Sequence, residues 1–259
     1  MLKRLSFLAL VLSMAISLPA STTAQDLSTA EGILRAHVEA TGGEKAWAAV
    51  EDMYAEIQIE AGTPMGPLTL EMKTWSIFPG YGYTEMNLLN GPDGIPAEAV
   101  NMKAYYTPLE GWMEQGGQRQ DMANVNPQMK QQFMRTSPKQ ELELLSNEEV
   151  TLALKGDSTF DDRAVYVIGV TMAGTESDMM IDKETLMILG QSTSTPMGDV
   201  VTRMSGYEEV DGLMFSMGQS AESAQGTQKV TIKKVELNSG LTPGAVATKA
   251  GTNKRVMPE

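Results

Sequence analysis

From residue 148 to residue 237 apolar and polar side chains alternate, segment after segment, and this pattern limits the fold more than any other feature of the sequence. The alternating stretches fall at roughly 149–156, 163–172, 176–182, 185–193, 197–208, 212–222 and 227–237. A period of two places successive side chains on opposite faces of a strand. Strands repeating every 8 to 12 residues or so with turn residues between them form an antiparallel meander. The same period appears earlier, where Met53, Ala55, Ile57 and Ile59 alternate with Tyr54, Glu56, Gln58 and Glu60. A turn at 62–67 separates that strand from one carrying Leu68, Leu70 and Met72, and further strands are expected at 81–89 and 101–107 around the turn cluster Asn90-Gly91-Pro92-Asp93-Gly94.

Helices are few. Ser28-Thr29-Ala30-Glu31 fits a capping box, with Ser28 as the cap, and Ala30, Ile33, Leu34, His37 and Val38 follow at helical spacing. Gly42-Gly43 ends this helix, and a short second one is expected over 44–50 with Trp47 and Val50 turned inward. Asn126-Pro127 and Pro138 each open a further candidate helix. Residues 238–259 carry Gly240, Pro243, Gly244 and Gly251 with few large apolar side chains, and read as a flexible tail.

Several strands are apolar on both faces. Val165 and Val167 lie on one side of 163–172, with Tyr166, Ile168, Val170 and Met172 on the other; in 185–189 Leu186 and Ile188 oppose Met187 and Leu189. Such strands in an antiparallel sheet need cover on both sides. The fold class is therefore α+β, mainly antiparallel β: one curved sheet, a half-barrel, with helices covering its concave face and leaving an apolar hollow. One domain over 25–238 is expected, followed by the tail at 239–259.

The chain opens with Lys3 and Arg4, an apolar run from Leu5 to Ile16, and a small polar stretch ending Thr22-x-Ala24. That is the layout of a secretory signal over residues 1–24 cut after Ala24, and the apolar run falls short of the ~18 residues a membrane span needs. An exported, periplasmic protein is expected, with no transmembrane segment after cleavage. The formal net charge of −13 becomes −15 once Lys3 and Arg4 are set aside. An acidic surface of that size argues against nucleic acid and anionic membranes as partners; the alternative is a high-salt habitat.

Catalytic motifs are not found. There is no Cys, so thiolate metal sites, disulfides and a lipidated cysteine are not expected, and His37 is the one histidine. His37 sits on the apolar stripe of the first helix, the place of a buried core residue, and no G-x-S-x-G elbow accompanies it. Neither Gly42-Gly43 nor Gly116-Gly117 belongs to a phosphate-cradling pattern, and the aspartates at 161, 162, 178 and 182 lack calcium-loop spacing. No catalytic residue, metal or cofactor is assigned. Methionine is the exception to this plainness, since 18 of the 20 lie beyond residue 24. An unbranched, polarizable side chain suits a surface that adapts to varied apolar ligands. Met72, Met86, Met172, Met179, Met204, Phe215 and Met217 are the candidate lining of the hollow. The alternative is that methionine stands in for leucine in an ordinary core.

Four segments together resemble one family. These are Ile33-Leu34-x(3)-Val38-x-Ala40-x-Gly42-Gly43 with Trp47-x-x-Val50, then Met180-Ile-Asp-Lys-Glu-Thr-Leu-Met187, Tyr207-x-x-Val210-Asp211-Gly212-Leu213-x-Phe215, and Val230-Thr-Ile-Lys-Lys-Val-Glu-Leu-Asn238. In this order they are similar to the periplasmic outer-membrane lipoprotein-sorting proteins, the LolA/LolB-like family. The resemblance implies a half-barrel around an apolar cavity with helices as a lid, and no catalytic residues. It implies a lipid or lipoprotein acyl chain as ligand, and it leaves open a related role in which the domain binds envelope proteins as a stress sensor.

Overall fold

A computed structural model describes residues 26–122, 138–172, 174–195, 198–223 and 226–252. The expected signal segment and the helix expected from Asn126 lie outside these residues. Thirteen strands form one antiparallel sheet: β1 (Asp52–Thr63), β2 (Gly66–Ile77), β3 (Tyr81–Asn90), β4 (Met102–Tyr106), β5 (Gly111–Gln115), β6 (Gln118–Asp121), β7 (Thr151–Phe160), β8 (Arg163–Met172), β9 (Thr175–Asp182), β10 (Ile188–Thr195), β11 (Gly198–Val210), β12 (Leu213–Ser223) and β13 (Gly226–Leu237). Their order is β6-β5-β4-β3-β2-β1-β13-β12-β11-β10-β9-β8-β7, so two meanders join where β1 pairs with β13. The sheet is curved and not closed; β6 and β7 are its edges.

Strands β5 and β6 have no counterpart in the sequence reading. Gly116 and Gly117 take φ of 60° and 74° and close a two-residue hairpin with Gln115 opposite Gln118, the left-handed pair that such a turn requires. Asp161-Asp162 and Asp211-Gly212 do the same between β7 and β8 and between β11 and β12. Residues 185–187, expected within a strand, form a turn instead, with Leu186 at φ 60°. The reason is Asp182, whose Oδ1 accepts from the backbone N–H of Glu184 and Thr185 and from the Thr185 hydroxyl. Its Oδ2 lies 2.8 Å from Arg163 Nε. Burial of this carboxyl works against ionisation, but the Thr185 bonds and the Arg163 charge prevail and hold its pKa below the usual value.

Three helices lie on the inner, concave face: α1 (Ala30–Ala40), α2 (Glu44–Ala48) and α4 (Gln140–Ser146), while the short α3 (Ala97–Val100) joins β3 to β4. Thr29, not Ser28, caps α1: its hydroxyl accepts from Gly32 N–H, whereas Ser28 donates to Asp26. Ala30, Ile33 and Leu34 of α1 and Leu144 of α4 pack on Ile168, Val170, Met179, Ile181 and Ile188. Val38, Trp47 and Val50 pack on Leu213, with Phe215 and Leu237 alongside.

Residues 239–252 depart from the flexible tail expected there. Thr242 caps α5 (Pro243–Lys249), with Pro243 in its first turn. Val246, Ala247 and Ala250 are buried against Trp75, Tyr83, Tyr105 and Trp112 on the outer face. These aromatics are directly opposed across neighbouring strands, Tyr54 to Trp75 to Tyr83 to Tyr105 to Trp112, and residues so opposed share a face and pack together. Asp52, 4% exposed, fixes the approach to the helix. Its carboxylate accepts from Ser239 N–H and Oγ and from Gly240 and Leu241 N–H, at 2.8 to 3.1 Å. Beside the aromatic row runs a row of charges, Lys234, Glu56, Lys73, Glu85, Lys103, Glu114 and Arg119, alternating in sign from β13 to β6.

Candidate functional site

A cavity of about 290 Å³ lies between the inner face and the helices. The sheet supplies a mainly apolar wall: Met53, Ala55 and Ile57 from β1, Ile232 and Val235 from β13, Met204 from β11, and Met214 and Phe215 from β12, with Ser216 and Gln219 of β12 as its polar members. An irregularity between Glu56 and Ile57 in the β1–β13 pairing, with Val235 opposite Ala55 and Ile232 opposite Ile57, places both β13 side chains in this wall. Gly206 has φ 64° and interrupts β11, and both Met204 and Tyr207 line the cavity. A larger hollow of about 420 Å³ at the hairpin tips is lined by strand residues alone, Glu60, Leu68, Glu222 and Lys229 among them, with no helix residue in its lining.

The helices supply a polar end. His37 and Thr41 come from α1 and its C-terminal turn, Gln140 and Glu141 from α4, and Tyr207 from β11. His37 is 5% exposed, and its Nδ1 lies 2.7 Å from the carbonyl oxygen of Leu186. A carbonyl only accepts, so Nδ1 carries the proton and the neutral ring keeps a lone pair on Nε2. Burial pushes the His37 pKa below its ordinary 6.5 against the opposing pull of the Leu186 bond. Thr41 Oγ1 donates within α1 and accepts from Trp47 Nε1 at 3.1 Å. The Tyr207 hydroxyl donates to the Ile188 carbonyl at 2.8 Å, and burial raises its pKa. Burial also raises the pKa of Glu141, whose carboxyl accepts a bond from its own backbone N–H. Among the described residues the lining includes this one carboxyl and no Lys or Arg.

Of the candidate lining residues, Met204 and Phe215 border this cavity. Met179 is 4% exposed and lies in the core beneath α1 and α4. Met72 and Met86 are half-buried and directly opposed to each other, in one row with Ile57 and Met102 on the inner face. Met72 and Met86 thus extend the apolar wall sideways rather than border the cavity. Met172 is half-buried at the far end of β8, and Met217 is half-buried on β12, neither of them in the lining. The polar set His37, Glu141 and Tyr207 escaped the sequence reading. Only His37 carried a signal, as a polar residue on an apolar stripe; Tyr207 and Glu141 sit at ordinary strand and helix positions.

No group of three or more His, Asp or Glu side chains is disposed to hold a metal ion among the described residues. No described helix is long and apolar enough to cross a membrane. No protein-family model matches the sequence, and no curated protein matches it. Solved structures do match the fold. A DUF1329 family protein from Desulfovibrio piger superimposes with a TM-score of 0.60 at 14% identity, over 85% of this chain and 98% of that one. A putative outer membrane lipoprotein-sorting protein domain from Vibrio parahaemolyticus gives 0.57 at 11% identity, over 85% and 97%. A LolA superfamily protein from Nitrosomonas europaea gives 0.56 at 11%, over 84% and 97%. The open antiparallel sheet, the helices on its inner face and these superpositions show that the chain has the same half-barrel fold as these proteins.

Proposed function

We propose that this protein is an exported, periplasmic binding protein that holds one apolar chain, of a lipid or a lipoprotein acyl group, in the cavity beneath α1 and α4. The observation that carries this reading is the cavity itself. Its wall of Met53, Ile57, Met204, Phe215, Ile232 and Val235 is apolar, and it lies between sheet and helices. At about 290 Å³ it stands at the lower end of small-molecule sites, which span about 300–1,000 Å³. That size suits a single chain rather than a whole multi-chain lipid. A non-catalytic role is supported by His37, whose Nδ1 is committed to tying α1 to the β9–β10 turn. The solved lipoprotein-sorting domain shares the fold and lends the reading its ligand class.

Native mass spectrometry of the protein taken from its own envelope tests this directly, with a co-purifying lipid as the expected result. In parallel, an environment-sensitive apolar dye should bind and be displaced by lipid. Met204→Gln with Phe215→Ser should weaken dye binding about tenfold or more while the fold persists, because unpartnered polar groups in an apolar wall cost about 1–3 kcal/mol each. A preparation free of lipid, indifferent to the dye and carrying a bound polypeptide would instead favour a protein-binding module.

A further inference from the structure

The polar end of the cavity is one-sided in its hydrogen-bond chemistry. His37 offers the lone pair of Nε2, because Nδ1–H is spent on Leu186. Tyr207 offers only oxygen lone pairs, because its O–H is spent on Ile188. Thr41 Oγ1 is occupied on both sides by the α1 carbonyls and Trp47. Glu141 adds a carboxyl, and among the described residues no Lys or Arg in the lining balances it. Gln140 and Gln219 bring amides, each with donors and an acceptor. Apart from Gln219 and from Ser216, whose hydroxyl is spent on the Ser205 and Gly218 carbonyls, the sheet wall offers apolar atoms. A ligand in this cavity therefore meets acceptors at the end formed by His37, Glu141 and Tyr207 and mainly hydrocarbon elsewhere.

Resting on the binding reading above, we infer that the bound amphiphile carries a donor at its polar end, an ammonium or amine seated among Glu141, His37 and Tyr207, and that Glu141 sets this preference. An ammonium brings N–H donors without an acceptor, which matches such a set, and its bond to a carboxylate is charge-assisted. A carboxylate or phosphate head brings acceptors against acceptors and a second negative charge beside Glu141. Burial disfavours the ionised form of Glu141, and a bound cation supplies a counter-charge to it. A hydroxyl head stands between the two, with one donor and no charge.

Three amphiphiles of one chain length separate these heads: decylammonium, decanol and decanoate, each titrated below its micelle concentration at physiological salt by calorimetry and by displacement of a neutral apolar dye. The expected order is decylammonium tightest, about tenfold or more over decanol, and decanoate weakest. Glu141→Gln should lower decylammonium affinity about tenfold and change decanol affinity far less, since a hydroxyl brings no charge to Glu141, the decanol titration showing that the variant is folded with an intact cavity. The chain is acidic overall, so an amine preference that survives Glu141→Gln would reflect surface charge and overturn the inference. Decanoate binding as tightly as decylammonium overturns it too. If none of the three binds, the cavity is not an apolar site, and the binding reading falls with it; if decanol binds without an amine preference, only this inference falls.

Discussion

His37 and Glu141 border the same cavity, and their titrations act on stability with opposite sign. The folded-state pKa of His37 is depressed by burial. Its contribution is therefore complete above the ordinary value of 6.5 and is lost as pH falls from there toward the depressed folded value, because the unfolded chain takes up a proton that the folded ring refuses. His37→Gln should cost about 1–3 kcal/mol at neutral pH through the lost bond to Leu186. The gap between the two urea midpoints should narrow as pH drops below 6.5. Glu141 is the reverse case, with a raised folded pKa, so its contribution is complete below the ordinary 4.5 and is lost as pH rises through the folded value. Glu141→Gln should thus stabilise the empty protein at pH 7, with the gain vanishing toward pH 4; a destabilised variant at pH 7 would defeat this account. Stability given up at a site in this way is common where a side chain serves binding. Of these two residues only His37 could be read in advance, because polarity on an apolar stripe is visible in one dimension. The role of Glu141 depends on which way α4 faces, and that is decided by tertiary packing of Leu144 on Ile33 and Leu34.

Elements with strong periodicity were legible, and those held by single polar contacts were not. The strands β7 to β13 fall close to the alternating segments, and in β8 and β9 Ile168, Val170, Met179 and Ile181 are buried beneath α1. β6, Gln-Arg-Gln-Asp, has no apolar residue at all and exists because Gly116-Gly117 turns the chain back onto β5. Helix α5 is the largest departure. Its start signal was present in Thr242-Pro243, a cap residue followed by a proline at the first turn, but glycine-rich surroundings concealed it. The four bonds at Asp52 that aim it come from a residue 187 or more positions away in sequence. Ending the chain at residue 240 should remove the cover from Trp75, Tyr83 and Trp112 and cost about 3–5 kcal/mol in the urea midpoint. The near-ultraviolet signal of the aromatic row should weaken at the same time. An unchanged midpoint would mean that the helix is a loose appendage.

Across the whole molecule, the row from Lys234 to Arg119 ties the pairing of seven strands to the sign of their charges. Lys73→Glu places a third acid between Glu56 and Glu85 and should lower the urea midpoint, since like charges directly opposed on neighbouring strands are unfavourable. Added salt should recover part of that loss by screening exposed charges, and a loss indifferent to salt would point to packing instead. A sheet this wide has many wrong ways to zip. Sliding β2 along β1 by two residues keeps every side chain on its proper face, so burial alone does not detect the mistake. The row does: in one direction Glu71 arrives opposite Glu56, and in the other Trp75 leaves the stack on Tyr54 and meets Glu56. The outer surface thus works as a parity check on pairing: a strand that slips by two residues keeps its faces but loses its charge partners.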